Sequence, residues 1–192
     1  MKTLFNKLRD IWSIEDLRVR ITNTLLFLLV YRLGTFIILP GVDSETLMRV
    51  KDNAEGLVNI INMFTSGAFE KASIFALGIM PYISASIVIQ LLSMALPYFQ
   101  RMQKEGESGR KKINQYTRYL TVIICGFQAP GYLVNLKSQA AGAMISVTNP
   151  EIMSPFMFTI TSVMILIAGT IFVMWLGERI TDKGLGNGIS LI

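Results

Sequence analysis

Residues 62–92, NMFTSGAFEKASIFALGIMPYISASIVIQLL, decide the fold, because they interrupt the chain just before a segment of membrane-spanning length. The preceding, largely apolar run from Leu57 to Phe64 is too short to cross the roughly 30 Å of bilayer hydrocarbon. Polar and glycine residues with Glu70 and Lys71 follow, and an uncharged apolar run then extends from Ala72 to Pro97. This order predicts either a short helix that dips into the membrane and returns, or a surface helix in an external loop.

The composition indicates an integral membrane protein. Of the 192 residues, 52% are hydrophobic, and the mean hydropathy is +0.49. The apolar residues form blocks of roughly 20, the length of a membrane-spanning helix. The net charge of +5 comes from short basic segments between the blocks, so it indicates membrane orientation rather than DNA binding. We therefore expect an all-α, polytopic membrane helical bundle.

The residue types present argue against an enzyme. The chain contains no histidine and one cysteine, Cys125. Without histidine there is no Ser-His or Cys-His catalysis and no histidine metal site. The predicted spans also lack the paired aspartates or Ser-Lys pair of an intramembrane enzyme. We predict no catalytic residues, no metal ligands and no cofactor.

Apolar blocks alternate with charged segments along the chain, and breakers such as Pro40 and Gly41 mark boundaries. An amphipathic pattern before the first block predicts a helix lying in the membrane interface. The predicted segments are an interfacial helix at 1–13, spans at 14–39, 73–97, 116–136 and 155–176, external loops at 40–72 and 137–154, cytoplasmic loops at 98–115 and 177–188, and the start of a fifth span at 189–192.

The orientation follows from the lysines and arginines, which concentrate on one side of the predicted spans. The loops at 40–72 and 137–154 are poor in these residues, so the N-terminus is expected to be cytoplasmic. Because the chain ends about one turn into the fifth apolar segment, we also expect it to be a fragment of a longer protein. The basic residues are Lys2, Lys7, Arg9, Arg18 and Arg20 before the first apolar block, which begins at Ile21, and Arg101, Lys104, Arg110, Lys111 and Lys112 after span two, with Arg118 at the start of span three.

The second span carries an isoleucine stripe. Ile79, Ile83 and Ile87 recur at i+4 and share one helical face, and Pro81, which removes one backbone hydrogen bond, permits a bend early in the helix. Taken alone, such a stripe is usually lipid-facing or packed. Beside a short helix that can fill a cavity, it is also a candidate constriction that excludes water by dewetting.

Four stretches resemble the SecY family, the main channel subunits of the protein translocase. The resemblance covers almost the whole chain in order and is weakest in the loop at 137–154. The stretches are YRLGTFIILPGVD at 31–43, INMFTSGAFEKASIFALGIMPYISASIVIQLL at 61–92, QRMQKEGESGRKKINQYTRYLT at 100–121 and MWLGERITDKGLGNGISLI at 174–192.

The resemblance implies a bacterial-type N-terminal half, helices one to four plus the start of five, of a ten-helix channel built from two inverted halves. It implies a pore ring that includes Ile79, Ile83 and Ile189. It also implies a plug, a short re-entrant segment that fills the closed pore and hinges at Ser66 and Gly67. The implied plug residues are Asn62, Met63, Phe64, Thr65, Ser66, Gly67, Ala68, Phe69, Glu70, Lys71 and Ala72.

The same resemblance places Ser84, Ile87 and Gln128 on the side of helices two and three that forms half of a lateral gate. The alternative for Gln128 is a hydrogen bond within its own helix. A polar pair suits a seam that must open, because interhelical hydrogen bonds in membranes are weak.

The implied function is a protein-conducting channel subunit of the bacterial cytoplasmic membrane. Its implied partners are SecE-like and SecG-like subunits, a ribosome or SecA motor, a translocating polypeptide with its signal sequence, and the lipid bilayer. The alternative from another class is a secondary transporter with a broken helix. A transporter should line its midplane site with charged groups, and spans two to four have no acid or lysine in their interiors.

Overall fold

A computed structural model describes residues 12–43, 47, 71–144 and 148–192. The regular elements in these ranges are helical, with only two isolated β-bridges besides, so the all-α prediction is confirmed. The predicted interfacial helix up to residue 11 and the plug residues 62–70 lie outside the described ranges. The helices are α1 (Glu15–Gly34), α2 (Met80–Ala95), α3 (Pro97–Lys104), α4 (Glu107–Ala140), α5 (Pro155–Lys183) and α6 (Gly188–Leu191), with a 3₁₀ turn at Ala141–Ala143.

Within the described ranges, α4 and α5 are each long and apolar enough to cross a membrane. Helices α2 and α3 together make a third candidate, bent by 98°. The bend falls at Leu96, which is extended, and Pro97 then begins α3. Helix α1 has 20 residues but carries charged residues in both its first and last turns. Four spans were predicted. Three of them correspond to these candidates, and α1, predicted as the first span, is not among them.

Helix α4 forms the centre of the bundle and packs against both α2 and α5. Its buried face repeats every four residues and consists largely of small side chains, which let neighbouring backbones approach closely. Cys125 lies on this face, with its Sγ 3.4 Å from Oγ1 of Thr170 on α5. The buried residues of this face include Thr117, Thr121, Cys125, Ala129 and Leu133.

The start of the second span differs from the prediction. The apolar run was expected to be helical from Ser73, but the structure has turns there and the helix begins at Met80. Gly78 adopts a positive φ of 52° just before the helix, a conformation that glycine reaches without strain. Pro81 lies in the first turn, where its missing N–H is not needed. Pro81 therefore starts α2, and the predicted bend at this residue is wrong.

The non-helical residues 72–79 are buried, and their backbone groups find partners inside the protein. On one side, this segment pairs with residues 37–39, which follow the end of α1. On the other, it forms turns of its own. The hydrogen bonds are Ile74 N to Ile37 O (2.9 Å), Leu39 N to Ala72 O (2.8 Å), Phe75 N to Ser73 Oγ (3.1 Å), Ala76 N to Ser73 O (3.0 Å) and Gly78 N to Phe75 O (2.8 Å).

Aromatic stacking holds this segment between α1 and α5. The ring of Phe75 lies between Tyr31 of α1 and Phe172 of α5, with ring centroids 5.8 Å apart on each side. The Ile74 carbonyl oxygen meets the backbone of Gly169 where a side chain would otherwise be. Gly169 is midway along α5, so irregular backbone lies at the level of the middle of a membrane-length helix.

The remaining helix ends also differ from the predicted spans. Helix α1 ends at Gly34, before the predicted Leu39, because residues 37–39 pair with the 72–74 backbone instead. Helix α4 begins inside the predicted loop at 98–115, and α5 continues past Leu176 to Lys183. At the start of α4 and the end of α5, charged residues continue the helix beyond the apolar block from which each span was predicted.

Gly169→Ala in the full-length protein should lower the free energy of unfolding by about 1–3 kcal/mol, because its Cβ overlaps the Ile74 carbonyl oxygen. Thermal unfolding in detergent measures the effect. Gly131→Ala is the matched control, since it is also helical and nothing lies within 4 Å of its added Cβ. This control should be neutral or stabilising by up to about 1 kcal/mol. Equal behaviour of both variants would contradict the close packing at Gly169.

Candidate functional site

Two of the three predicted ring residues meet on α5. Gly177 has no side chain, and the point where its Cβ would lie is 3.4 Å from Ile189 Cγ1 and 3.5 Å from Ile79 Cδ1. Ile79 is 8% exposed and packs in one apolar cluster with Ile189 and Leu176. Ile79 lies at the end of the non-helical segment 72–79, and Ile189 lies on α6.

Close contact between α6 and α5 fixes Ile189. Any side chain at Gly188 would overlap the Gly177 carbonyl oxygen, so glycine lets the two backbones touch. The Gly188 N–H donates to Thr181 Oγ1 at 2.9 Å. The Ile189 N–H donates to the Asn187 side chain at 3.0 Å, which caps the short helix. These bonds set the direction in which Ile189 points.

The isoleucine stripe divides between two environments. Ile79 is buried, whereas Ile83 is 37% exposed and Ile87 is 51% exposed. The buried face of α2 lies elsewhere on the helix, and it is this face that packs on the rest of the bundle. Its residues are Pro81, Ala85, Ile89 and Ser93. Ile83 and Ile87 therefore face away from the packed interior of the described residues.

The predicted gate residues lie on the surfaces of α2 and α4. Ser84 is half-buried, and Ile87 and Gln128 are exposed. Within the described ranges, no hydrogen bond joins Ser84 to Gln128, and none ties Gln128 to its own helix. On α2, Gln90 Nε2 donates instead to Ser86 Oγ at 3.3 Å. The predicted polar pair is thus not a bonded pair here.

The described end of the predicted plug, Lys71 and Ala72, is anchored. Ala72 is fully buried, and its carbonyl accepts from Leu39. The Lys71 ammonium lies 4.3 Å from the centroid of the Phe36 ring, in a cation–π contact. Ala72, the last residue of the predicted plug, therefore lies in the packed segment. The predicted hinge at Ser66 and Gly67 lies outside the described residues.

A polar cavity beside the ring residues was not predicted. It encloses about 510 Å³ between the start of α2, the start of α4 and the end of α5. Arg118 and Glu178 form a two-point ion pair in its wall, with Nε 3.0 Å from Oε1 and Nη2 2.6 Å from Oε2. We name this cavity the vestibule. Its wall includes Tyr82, Asn114, Arg118, Glu178, Asp182 and Ile189.

The sequence contained a partial signal for the ion pair. Opposite charges flank the facing ends of two consecutive apolar blocks, Arg118 at the start of one and Glu178 at the end of the next. Consecutive antiparallel helices bring such ends together. From the sequence, Arg118 was predicted only to set membrane orientation, and Glu178 was given no role.

The comparisons with known proteins agree on one family. A family model for SecY matches residues 73–192. The chain is 48% identical over 180 residues to the protein translocase subunit SecY of Buchnera aphidicola subsp. Schizaphis graminum, covering 93% of this chain and 40% of that protein. It is 47% identical over 181 residues to the subunit of the same name from Escherichia coli strain K12, covering 94% of this chain and 40% of that protein. It thus spans about two fifths of the length of these relatives.

A cysteine pair should detect the convergence of Ile79 and Ile189. In full-length protein with Cys125→Ala, the pair Ile79→Cys and Ile189→Cys should be joined by a short bifunctional thiol reagent, because both side chains reach the same point on Gly177. The control pair, Ile87→Cys with Ile189→Cys, should not be joined, since Ile87 lies about 12 Å further along α2. Peptide mass spectrometry measures both. Equal yields would contradict the arrangement.

Proposed function

Because the chain belongs to the SecY family, we propose that it forms the N-terminal half of a channel that moves secretory polypeptides across a membrane. The observation that carries the proposal is the meeting of Ile79 and Ile189 on Gly177, beside a polar cavity. The channel would also release membrane-protein segments sideways into the lipid.

The ring would work by exclusion of water rather than by chemistry. Branched apolar side chains make a narrow passage unfavourable for water and ions, so the passage stays closed until a chain fills it. Ile79 and Ile189 supply two such side chains. Ile83, one turn further along α2 and exposed, is positioned to add a third when the remainder of the protein faces it.

The lateral gate would form from the exposed surfaces of α2 and α4. Ile87 and Gln128 face outward, and Ser84 is half-buried beside them. Ser84 and Gln128 lie on the same half and are not hydrogen-bonded to each other. When the gate opens, the surface that carries them would separate from the opposing half of the channel. An apolar signal segment could then pass between the halves into lipid.

The plug would comprise residues 62–72. Its support is the resemblance described above, together with the anchored position of Lys71 and Ala72. In the working complex we expect SecE-like and SecG-like subunits and a ribosome or SecA motor that supplies energy. We place the complex in the bacterial cytoplasmic membrane with the N-terminus of the chain in the cytoplasm.

Photocrosslinking from Ile83 and Ile87 tests the channel proposal. With a photoreactive residue at either position of the full-length complex, a stalled secretory chain should form adducts at both. Leu25, an exposed apolar residue of α1, is the control and should give little product. If the secretory chain engages the complex and neither position reacts, the exposed isoleucines are ordinary lipid contacts and the transporter alternative gains support.

Deletion of residues 62–70 tests the plug. The deletion stops before Lys71 because Ala72 is part of the packed segment. The variant should keep the thermal stability of the wild type and conduct ions in planar bilayers without a substrate. Unchanged conductance together with unchanged stability would contradict the plug assignment.

A further inference from the structure

We infer that Arg118 and Glu178 set the charge that a substrate polypeptide meets in the vestibule, just before it reaches the apolar ring. Arg118 is the specificity-determining residue of the pair, because it offsets a carboxylate that would otherwise hold basic stretches of the passing chain. The inference rests on the proposed channel function and adds a selectivity to it.

The geometry of the pair fixes the positions of both charged groups in the wall. Two parallel contacts join the guanidinium of α4 to the carboxylate of α5, an arrangement that fixes orientation as well as distance. The Glu178 side chain is 23% exposed and that of Arg118 is 52% exposed. Both groups therefore remain partly open to the vestibule while they pair.

The vestibule and the ring share residues. Tyr82 and Ile189 line the vestibule, and both also pack in the apolar cluster that contains Ile79. Anything that reaches Ile189 along this wall therefore passes the ion pair. This position distinguishes the pair from the exposed pair of Lys112 and Glu105, whose atoms are 3.1 Å apart and which does not line the vestibule.

The charge balance of the wall depends on Arg118. Three charged residues line the vestibule in the described part of the chain, namely Arg118, Glu178 and Asp182. One is positive and two are negative, so the wall carries a net charge of minus one. Removing Arg118 makes the wall more negative by one charge, and removing Glu178 makes it neutral. A lysine- or arginine-rich segment would thus bind more strongly in the first case and less in the second.

Charged thiol reagents measure this balance without requiring translocation. The reporter is Asn114→Cys in the full-length complex with Cys125→Ala, because Asn114 lines the vestibule one turn from Arg118. Rates with a cationic and an anionic methanethiosulfonate reagent are compared in 0.1 M salt. In 0.1 M salt the Debye length is about 10 Å, so one unit charge acting across about 10 Å of water changes each rate about 1.3-fold and the ratio of the two rates about 1.7-fold.

Arg118→Gln should raise the cation-to-anion rate ratio, and Glu178→Gln should lower it. The double variant restores the wild-type net charge and should restore the ratio, which separates charge from loss of structure. Glu105→Gln removes the same unit of charge from the exposed pair and should have a smaller effect. In 1 M salt, where screening acts within about 3 Å, the differences should shrink. Shifts in one direction for both single variants, or an equal shift for Glu105→Gln, would overturn the inference.

A translocation assay relates the charge balance to substrates. Secretory chains with an inserted run of lysines or of glutamates are compared in the same variants. Arg118→Gln should slow the lysine chain about twofold relative to the glutamate chain, and Glu178→Gln should do the opposite. Equal relative rates in all variants would overturn the selectivity, even if the reagent ratios shift. Failure of the proposed function appears separately, as the absence of adducts from Ile83 and Ile87 in the unaltered complex.

Discussion

The backbone of residues 72–79 imposes the constraint on which the rest of the structure depends. This segment is not helical, yet it lies beside Gly169, midway along a membrane-length helix. Unpaired N–H and C=O groups at such a depth are costly, so each must find a partner within the protein. Residues 37–39, beyond the end of α1 at Gly34, pair with Ala72 and Ile74, and turns within the segment supply further partners. The early end of α1 and the late start of α2 therefore have the same cause.

The packing around this segment explains why small residues occupy so many contact positions. Lipid tails are as apolar as the side chains of the helices, so the hydrophobic effect does little to drive helices together in a membrane. Helix association there relies on close van der Waals contact. Gly169 receives the Ile74 carbonyl, and Gly177 receives both Ile79 and Ile189. The rings of Tyr31, Phe75 and Phe172 stack beside the Gly169 contact. Both ring candidates thus pack against one glycine of α5, and backbone hydrogen bonds to Thr181 and Asn187 hold the helix that carries Ile189.

The proposed site has two parts, an apolar constriction and the charged wall of the vestibule beside it. A constriction that must deform around many different chains gains nothing from precise hydrogen bonds, and its isoleucines pack on a glycine. The charges stand apart, in the vestibule wall, where Arg118 and Glu178 join α4 to α5. In the proposed channel, this separation would let the ring accept any sequence while the charged cavity wall supplies a selectivity.

The sequence by itself determined the all-α membrane class and the family, because hydrophobic blocks and long motifs are local properties of the chain. It also singled out Ile79 through the i+4 stripe and Ile189 through the resemblance alone. The start of α2 at Met80 depended on tertiary structure, since an apolar run is equally compatible with a buried helix and with a buried extended segment. The division of the isoleucine stripe and the Arg118–Glu178 pair were likewise decided by packing. Periodicity reports which residues share a face, whereas burial and long-range pairing depend on what that face meets.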